Sequence, residues 1–394
     1  MLNKITQTYK NFRLFYLKKQ WWIFLIFISL LIKFFLLPVK TGDYVVYLEP
    51  WINFIKTHGY FSALKYDFSN YTPTYLYILT FIAKTGLNPL FLIKGISVLF
   101  EYVTAYFIGK IAWLKFKDNL VIIIALAIVP LLPSVMLNSS YLSQCDAIYA
   151  SFTVASIYYA LKNKSFLSVL MLGIAFSLKL QTAFILPFFF VMLLRGNVKW
   201  YHFFLIPAVY FISIFPAWLV GRPFSELISI YFSQADYYRL LTLNFPNLYI
   251  WFSNNYYELI SNIGILFTFL FTLFGGIKLS SKKINFTFEN WIQLAFLSVT
   301  VIPFFLPGMH ERYLYLADVL GVVYLMIFPR KFYLPLAVWM ISLYSYIRCS
   351  RFNEILPMEP VFFVYLLILV FISIDFYSGI RTNSSLSKAN EIIL

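Results

Sequence analysis

The sequence predicts an all-α polytopic membrane protein with about 12 transmembrane helices. Hydrophobic residues make up 61% of the 394 residues, and only 12% are charged. Soluble domains, by contrast, are about 45–50% apolar and roughly 25% charged. The mean hydropathy is +0.78, and long apolar runs recur from Trp21 to Ser378. Each spanning helix needs about 20 such residues, because the hydrocarbon core of a bilayer is about 30 Å thick.

The apolar segments are separated by short polar loops. In chain order they are 21–39, 73–87, 90–112, 120–137, 145–161, 165–178, 181–194, 201–219, 258–277, 290–306, 312–328, 332–347 and 360–378. The first contains Lys33 and has no small-residue cleavage site, so we expect a retained span and not a cleaved signal peptide. Between 73 and 137 the loop charges require an even number of crossings, yet three segments lie there. One of the three is expected not to cross, and the sequence leaves open which.

Basic residues predict the orientation of the chain. The net charge is +15, but the basic residues are spread over short loops between apolar segments. Such loops mark the cytoplasmic side of a membrane protein, so we expect no nucleic-acid partner. Beyond the basic amino-terminal stretch, the clusters are Lys162/Lys164, Arg195/Lys199, Lys278/Lys282/Lys283, Arg330/Lys331 and Arg381/Lys388.

Two long loops, 40–72 and 220–257, are predicted to lie on the opposite, non-cytoplasmic side. Both are rich in aromatic residues and contain stretches with helical periodicity, such as "YVVYLEPWINFIKTHGY". Tyr and Trp are favoured at the membrane–water boundary, so we expect interfacial helices in both loops. No internal repeat or soluble domain is evident, and residues 1–394 are interpreted as one transmembrane domain.

Asp43, in "TGDYVVYLEPW", follows the first apolar segment. A carboxylate at the mouth of a helical bundle can accept a proton from a hydroxyl group. Alternatively, Asp43 caps the helix that starts after it. Glu49, in the same loop, is the reserve candidate for a general base.

Polar residues also interrupt the apolar pattern at Gln144 and Asp146 in "YLSQCDAIYASF", and at Lys179 and Gln181 in "FSLKLQTAFILPF". The amide and the carboxylate suit sugar hydroxyls, although an aspartate in a first helical turn also complements the helix dipole. A lysine on the predicted outer side suits a lipid phosphate. The alternative is a lysine that extends its ammonium group to the membrane surface.

The segment "LPGMHERYLYLAD" places His310, Glu311 and Arg312 together between two apolar runs. Arginine can bind phosphate through two hydrogen bonds, and ionisable residues within membrane segments are costly and mark functional sites. Asp318 is two helical turns beyond Glu311, hence on a similar face. The alternative is a structural ion pair of Arg312 with Glu311 or with Asp318.

The order of these motifs, with "YTPTYLY" at the start of the second apolar segment, resembles the GT-C superfamily of integral-membrane glycosyltransferases over about residues 21 to 330. It is most similar to the bacterial relatives of GPI mannosyltransferase II. The resemblance implies a GT-C-like bundle with Asp43 as catalytic base. Two positions depart from the family pattern: Ser143 stands where glycine is usual, and Leu180 where proline is common. By the same resemblance the substrate-binding residues are Gln144, Asp146, Lys179, Gln181, His310, Glu311 and Arg312, with weaker candidates at Gln234, Asn244 and Asn247.

The expected reaction moves one sugar, mannose or another hexose, from a polyprenyl-phosphate carrier to a glycan or glycolipid acceptor. Lys179 and Arg312, with Arg239, are expected to hold the phosphate. The resemblance also implies a multi-pass protein of the bacterial inner (plasma) membrane with its site facing outside. No cofactor is indicated, and the sequence leaves a divalent metal open because no cluster has the spacing of metal ligands. Two other functions fit the sequence, a transporter or flippase of a lipid-linked saccharide and a polymerase or ligase of surface polysaccharide.

Overall fold

The computed structural model describes residues 19–235, 237–281, 284–349 and 357–393, with side chains as far as Arg381. Expectations that concern the amino-terminal basic residues, Lys282, Lys283, 350–356 and the side chains after Arg381 lie outside this description. The described α-helices are α1 Lys19–Leu36, α2 Glu49–Thr57, α3 Pro73–Lys84, α4 Pro89–Phe116, α5 Leu120–Ile128, α6 Pro133–Met136, α7 Asp146–Leu161, α8 Ser165–Leu178, α9 Leu186–Leu194, α10 Leu205–Leu219, α11 Phe224–Ala235, α12 Tyr257–Leu279, α13 Phe288–Phe305, α14 Tyr315–Ile327, α15 Tyr333–Cys349 and α16 Met358–Ile393.

The protein is an all-α membrane protein, but the expected number of about 12 transmembrane helices is wrong. Within the described residues, six helices are long and apolar enough to cross a membrane, or up to seven if a pair bent by 60° counts as one span. The six are Lys19–Leu36, Pro89–Phe116, Trp200–Leu219, Asn254–Leu279, Phe288–Phe305 and Met358–Arg381, and the bent pair is Leu120–Leu131 with Pro133–Tyr141.

Most of the remaining apolar segments form helices of fewer than 18 residues, which is why the sequence count was too high. At 145–161 the helix has 16 residues. At 181–194 a 3₁₀ turn is followed by a helix of 9 residues, with Pro187 in its first turn. Proline lacks a backbone N–H donor, so it favours the start of a new helix over the continuation of the preceding one.

The segment 73–87 is not among the helices that are long and apolar enough to cross a membrane. Its helix α3 has 12 residues, a length of about 18 Å. Tyr75, in the first turn of α3, lines the same cavity as Asp43. Lys94, early in the next helix α4, donates hydrogen bonds to the carbonyl oxygens of Leu36 and Val39 at the end of α1, at 2.8 and 2.7 Å. The first turns of α3 and α4 therefore both lie near the same end of the bundle.

The bundle has two polar ends. One, called here the Asp43 end, gathers residues from the loops after α1, before α7, after α8 and before α14. The other, called the basic end, holds Lys115 against Glu289 at 2.9 Å. There Arg195 donates to three carbonyl oxygens, those of Leu279, Ser281 and Ile284, at 3.2, 3.0 and 2.7 Å.

Both long loops contain helices, as the sequence predicted. Loop 40–72 holds a π-helical turn, α2 and a 3₁₀ turn, and loop 220–257 holds α11. One face of α11 is apolar and exposed, with Phe232 at 81%, Ile228 at 50% and Phe224 at 38%. These residues recur every four positions and so share one helix face.

Two short parallel strands join the second loop to "HER". They are β1 Thr242–Leu243 and β2 Met309–His310, paired Thr242 to Met309 and Leu243 to His310. Gly308, with φ 71°, donates its N–H to the Leu241 carbonyl oxygen at 2.8 Å. Glycine adopts this left-handed conformation without strain. The pairing fixes where His310 lies relative to the long loop.

An ion pair that the sequence did not suggest crosses the interior between α1 and α4. The Lys33 ammonium lies 2.6 Å from the Glu101 carboxylate, and the two side chains are 3% and 0% exposed. Ser139 donates a further hydrogen bond to Glu101. Each charge in such a place depends on its partner, because an isolated ion is costly to bury.

We predict that Glu101→Gln, which leaves Lys33 charged and alone, lowers the free energy of unfolding by about 3–5 kcal/mol. Replacing both partners with apolar residues, as Lys33→Met with Glu101→Leu, should recover most of this loss. Glu49→Gln is the matched control, because its pair with Lys40 is half exposed and contributes at most about 1 kcal/mol. Thermal unfolding in lipid nanodiscs measures all three, and equal losses for Glu101→Gln and Glu49→Gln would contradict the prediction.

Candidate active site

A cavity of about 200 Å³ opens at the Asp43 end of the bundle. Its wall combines residues from the loop after α1, the turn before α7, the loop before β1, and the "HER" turn. The polar residues that line it are Asp43, Tyr47, Asn70, Tyr71, Tyr75, Ser143, Gln144, Cys145, Tyr238, Asn244, His310, Glu311, Arg312 and Cys349. Residues far apart in the sequence therefore meet in one polar space.

Asp43 stands at the start of the π-helical turn Tyr44–Leu48, but its side chain makes no capping hydrogen bond. Instead, the Asp43 carboxylate accepts a hydrogen bond from the Gln144 side-chain amide at 2.5 Å. Tyr71 donates to the other end of the same amide at 3.3 Å. The capping alternative for Asp43 is therefore wrong, and its carboxylate faces the cavity in an orientation that Gln144 and Tyr71 fix.

The turn that presents Gln144 depends on Ser143, which has a φ of 62°. This left-handed conformation is the one that glycine adopts at no cost and other residues adopt only with strain. The position where the GT-C motif usually has glycine thus keeps a glycine-like backbone. The substitution of serine for glycine does not change the direction of the chain here.

Asp146, in the first turn of α7, is 1% exposed and binds three other side chains. Lys179 donates to its Oδ1 at 2.5 Å. Asn138 donates to its Oδ2 at 2.6 Å, and Arg312 Nε lies 3.8 Å from the same oxygen. Lys179 reaches this carboxylate because the chain is extended at Lys179, between α8 and the next 3₁₀ turn. Asp146 thus lies behind the cavity wall, where its carboxylate lies between Lys179 and Arg312, the two cations expected to bind phosphate.

The "HER" turn holds a tight ion pair. Arg312 Nη1 donates to Glu311 Oε1 at 2.6 Å, and the Arg312 side chain is 16% exposed. Burial raises the pKa of the Glu311 carboxyl, but Arg312 and His310 outweigh burial and lower that pKa to about 2. Burial lowers the pKa of His310 below its usual 6.5, so this imidazole is neutral near pH 7. The structural Glu311–Arg312 pair expected as an alternative is present, and its arginine still lines the cavity.

Not every expected residue lines the cavity. Gln181 is absent from the residues that line the cavity. Arg239 pairs instead with exposed Glu258, so the structure does not bring it to Lys179 and Arg312. Glu49, the reserve base, pairs with Lys40 at 2.8 Å.

The weaker candidates and Asp318 also differ in whether they line the cavity. Asn244 lines the cavity and Gln234 lines a neighbouring one. Asn247 is buried, donates to the Leu306 carbonyl oxygen at 2.9 Å and caps a 3₁₀ turn, which is a structural role. Asp318 accepts from Ser342 at 2.6 Å and is absent from the cavity lining described above.

Sequence reasoning missed two residues that support the site. Tyr71 opens the motif "YTPTYLY", which indicates the residue only through its place in the family pattern. Asn138 precedes Asp146 by eight residues, on the other side of the turn at Ser143, and no motif points to it. Within the described residues, no group of three or more His, Cys, Asp or Glu side chains is placed to hold a metal ion.

We predict that Asp146→Asn destabilises the fold by about 3–5 kcal/mol, because it leaves Lys179 buried without its counter-charge. Adding Lys179→Met to Asp146→Asn should restore part of the loss, which a double-mutant cycle measures as a coupling energy. Asp43→Asn is the control, since Asp43 is only partly buried and, among the residues that the structure describes, forms no ion pair with a buried cation. Denaturant unfolding in detergent provides the free energies, and purely additive losses would show that Asp146 and Lys179 do not depend on each other.

No family model matches the chain, and no curated protein or solved structure matches it either. The resemblance to GT-C glycosyltransferases therefore stands on the motifs quoted above.

Proposed function

We propose that the protein is a glycosyltransferase that moves one sugar from a polyprenyl-phosphate carrier to a glycan or glycolipid acceptor. The observation that carries the proposal is that a carboxylate, Asp43, and a cation, Arg312, line one cavity at an end of an apolar helical bundle. Transfer from a lipid phosphate needs a proton acceptor and a group that stabilises the departing phosphate, within reach of the bilayer. Mannose is favoured only by the motif resemblance.

In the proposed reaction, an acceptor hydroxyl attacks the anomeric carbon of the donor sugar. Its oxygen forms the new glycosidic bond while the bond between that carbon and the phosphate oxygen breaks, with inversion. Asp43 takes the hydroxyl proton, and Gln144 holds the carboxylate in the position to do so. The electron pair of the broken bond leaves on the polyprenyl phosphate, where Arg312 stabilises the developing charge.

Lys179 has a different role in this proposal from Arg312. Its side chain is 9% exposed and its ammonium binds Asp146, while Arg312 reaches the cavity itself. Lys179 therefore acts through Asp146, which it neutralises, and so leaves more of the Arg312 charge for the phosphate. Asp146 is thus a positioning residue and not a ligand of sugar hydroxyls.

The lipid tail of the donor needs an apolar path beside the site. A groove of about 490 Å³ between α12, α13 and α16 is lined mainly by apolar side chains, among them Phe271, Phe305 and Leu369. Phe305 ends α13, and "HER" follows in the next turn. We propose that the polyprenyl chain lies in this groove or against the lipid-facing helices.

The proposed location is the bacterial inner membrane with the Asp43 end outside, because basic residues gather at the other end. We predict that a cysteine introduced at Asn255, exposed at the Asp43 end, reacts with a membrane-impermeant maleimide in intact cells. A cysteine at Tyr201, exposed at the basic end, should react only after the cells are opened. Labelling in the reverse order would place the site in the cytoplasm and reject this location.

We predict that Asp43→Asn lowers kcat by about 10²–10⁴-fold, because asparagine keeps the size of aspartate but cannot accept the proton. The assay follows transfer from a synthetic polyprenyl-phosphate sugar to glycolipids extracted from the host. Glu49→Gln is the matched control in the same loop, and it should keep near-normal turnover.

An active Asp43→Asn with an inactive Glu49→Gln would move the base to Glu49. If both variants transfer sugar normally, the proposed catalysis is wrong. A lipid-linked saccharide that crosses proteoliposomes without transfer would favour the transporter instead. A product extended by many sugars per acceptor would indicate a polymerase or ligase.

A further inference from the structure

A second cavity adjoins the one that holds Asp43. Its volume is about 330 Å³, which lies within the range of about 300–1,000 Å³ for ligand pockets. Tyr47, Trp51 and Asn70 line both cavities, so they form the boundary between the two. A molecule in the second cavity would therefore lie beside a molecule in the first.

The second cavity is lined on one side by a polar face of α11. Glu226, Ser229 and Ser233 line it, and their spacing of three and seven residues places them on one face of a helix. The apolar face of α11, described above, lies elsewhere on the same helix. Two hydroxyl groups and a carboxylate are thus directed at the cavity by helix geometry.

Arg222 gives this cavity a buried charged group. Its side chain is only 2% exposed, donates to Asp67, and lies 3.6 Å from the Glu226 carboxylate. Its Nε and Nη1 atoms have no hydrogen-bond partner among the residues that the structure describes. The side-chain oxygen of Asn70 is likewise buried and unpartnered. Buried polar groups left unpaired cost about 1–3 kcal/mol each, so a ligand that accepts from Arg222 and donates to Asn70 relieves that cost.

The carboxylates indicate that the ligand is neutral. Asp67 and Glu226 are 68% and 46% exposed, so an incoming anion meets two accessible negative charges. In the first cavity, the two carboxylates paired with Arg312 are far less exposed, since Glu311 is 5% and Asp146 1% exposed. The first cavity therefore suits a phosphate better than the second does.

The aromatic residues at the boundary between the two cavities further indicate which kind of ligand the second cavity binds. Tyr47 and Trp51 are neighbouring aromatic rings with centroids 5.9 Å apart, and they offer an apolar surface beside hydroxyl, amide and carboxylate groups. A ligand with an apolar ring face and several hydroxyl groups matches this combination. We propose that the second cavity binds the acceptor as a neutral saccharide and presents its hydroxyl to Asp43 across Tyr47 and Trp51. This inference rests on the proposed glycosyl transfer.

The test is thiol protection in the full-length chain, with Cys145 and Cys349 replaced by serine and Ser229→Cys introduced. The probes are the methyl glycosides of mannose, glucose, galactose and N-acetylglucosamine, with inorganic phosphate at equal ionic strength for comparison. At about ten times its Kd, a bound glycoside should slow maleimide alkylation of Ser229→Cys about tenfold. Asn255→Cys, exposed outside both cavities, is the matched control and should not change.

Protection by none of the glycosides, or protection by phosphate, overturns the inference. Because protection does not require catalysis, the two proposals fail separately. Protection in a protein that transfers no sugar would reject the proposed function and keep the saccharide site. Sugar transfer by a protein in which no glycoside protects Ser229→Cys would keep the proposed function and reject the saccharide site.

A kinetic comparison distinguishes the acceptor from the donor sugar. Glu226→Gln removes a charged acceptor of hydrogen bonds in the second cavity, so the KM for the acceptor should rise about tenfold. The KM for the polyprenyl-phosphate donor should not change. Glu258→Gln, whose carboxylate is 76% exposed and outside both cavities, is the matched control. A rise in donor KM alone would assign the cavity to the donor sugar and overturn the acceptor role.

Discussion

The arrangement of the site depends on one buried carboxylate, that of Asp146. It joins α7 to Lys179 after α8, to Asn138 before α7, and to Arg312 in the turn before α14. Removing a carboxylate from water is costly unless charged and hydrogen-bonding partners surround it. Those partners come from different parts of the chain, so the helices that carry them must pack in one relative position. The cavity in front of Asp146 follows from that position.

Much of this arrangement was predictable from sequence because polar residues are so rare in the chain. The motifs "SQCD", "SLKLQ" and "HER" stand out between apolar segments. The free-energy cost of placing ionisable residues in a membrane is enough to mark them as candidate site residues. The structure brings Asp146, Lys179 and Arg312 together, as the sequence suggested. The pairing of Asp146 with Lys179 was not predictable, because a motif shows which residues are unusual but not which of them neutralise one another.

Helix number and buried partners were harder to predict. Hydropathy finds apolar segments, but it does not show that 181–194 divides into a 3₁₀ turn and a helix of 9 residues with Pro187 in its first turn. The Lys33–Glu101 pair lies in two apolar segments that differ little from their neighbours by composition. Arg239 was misplaced because a loop residue can pair with any nearby charge, and here Glu258 is nearer than the cavity. Contacts over long sequence separation decide each of these cases.

Helix α11 has an exposed apolar face and a polar face that lines the second cavity. Phe224, Ile228 and Phe232 are exposed on one face while the polar face lines the cavity. A helix of this kind lies in the head-group layer with its apolar side toward the acyl chains. In the proposed reaction, a lipid-anchored acceptor would approach by diffusion in two dimensions, already at the depth of the cavity. The thickness and head-group charge of the host bilayer would thereby tune how often the acceptor meets the site.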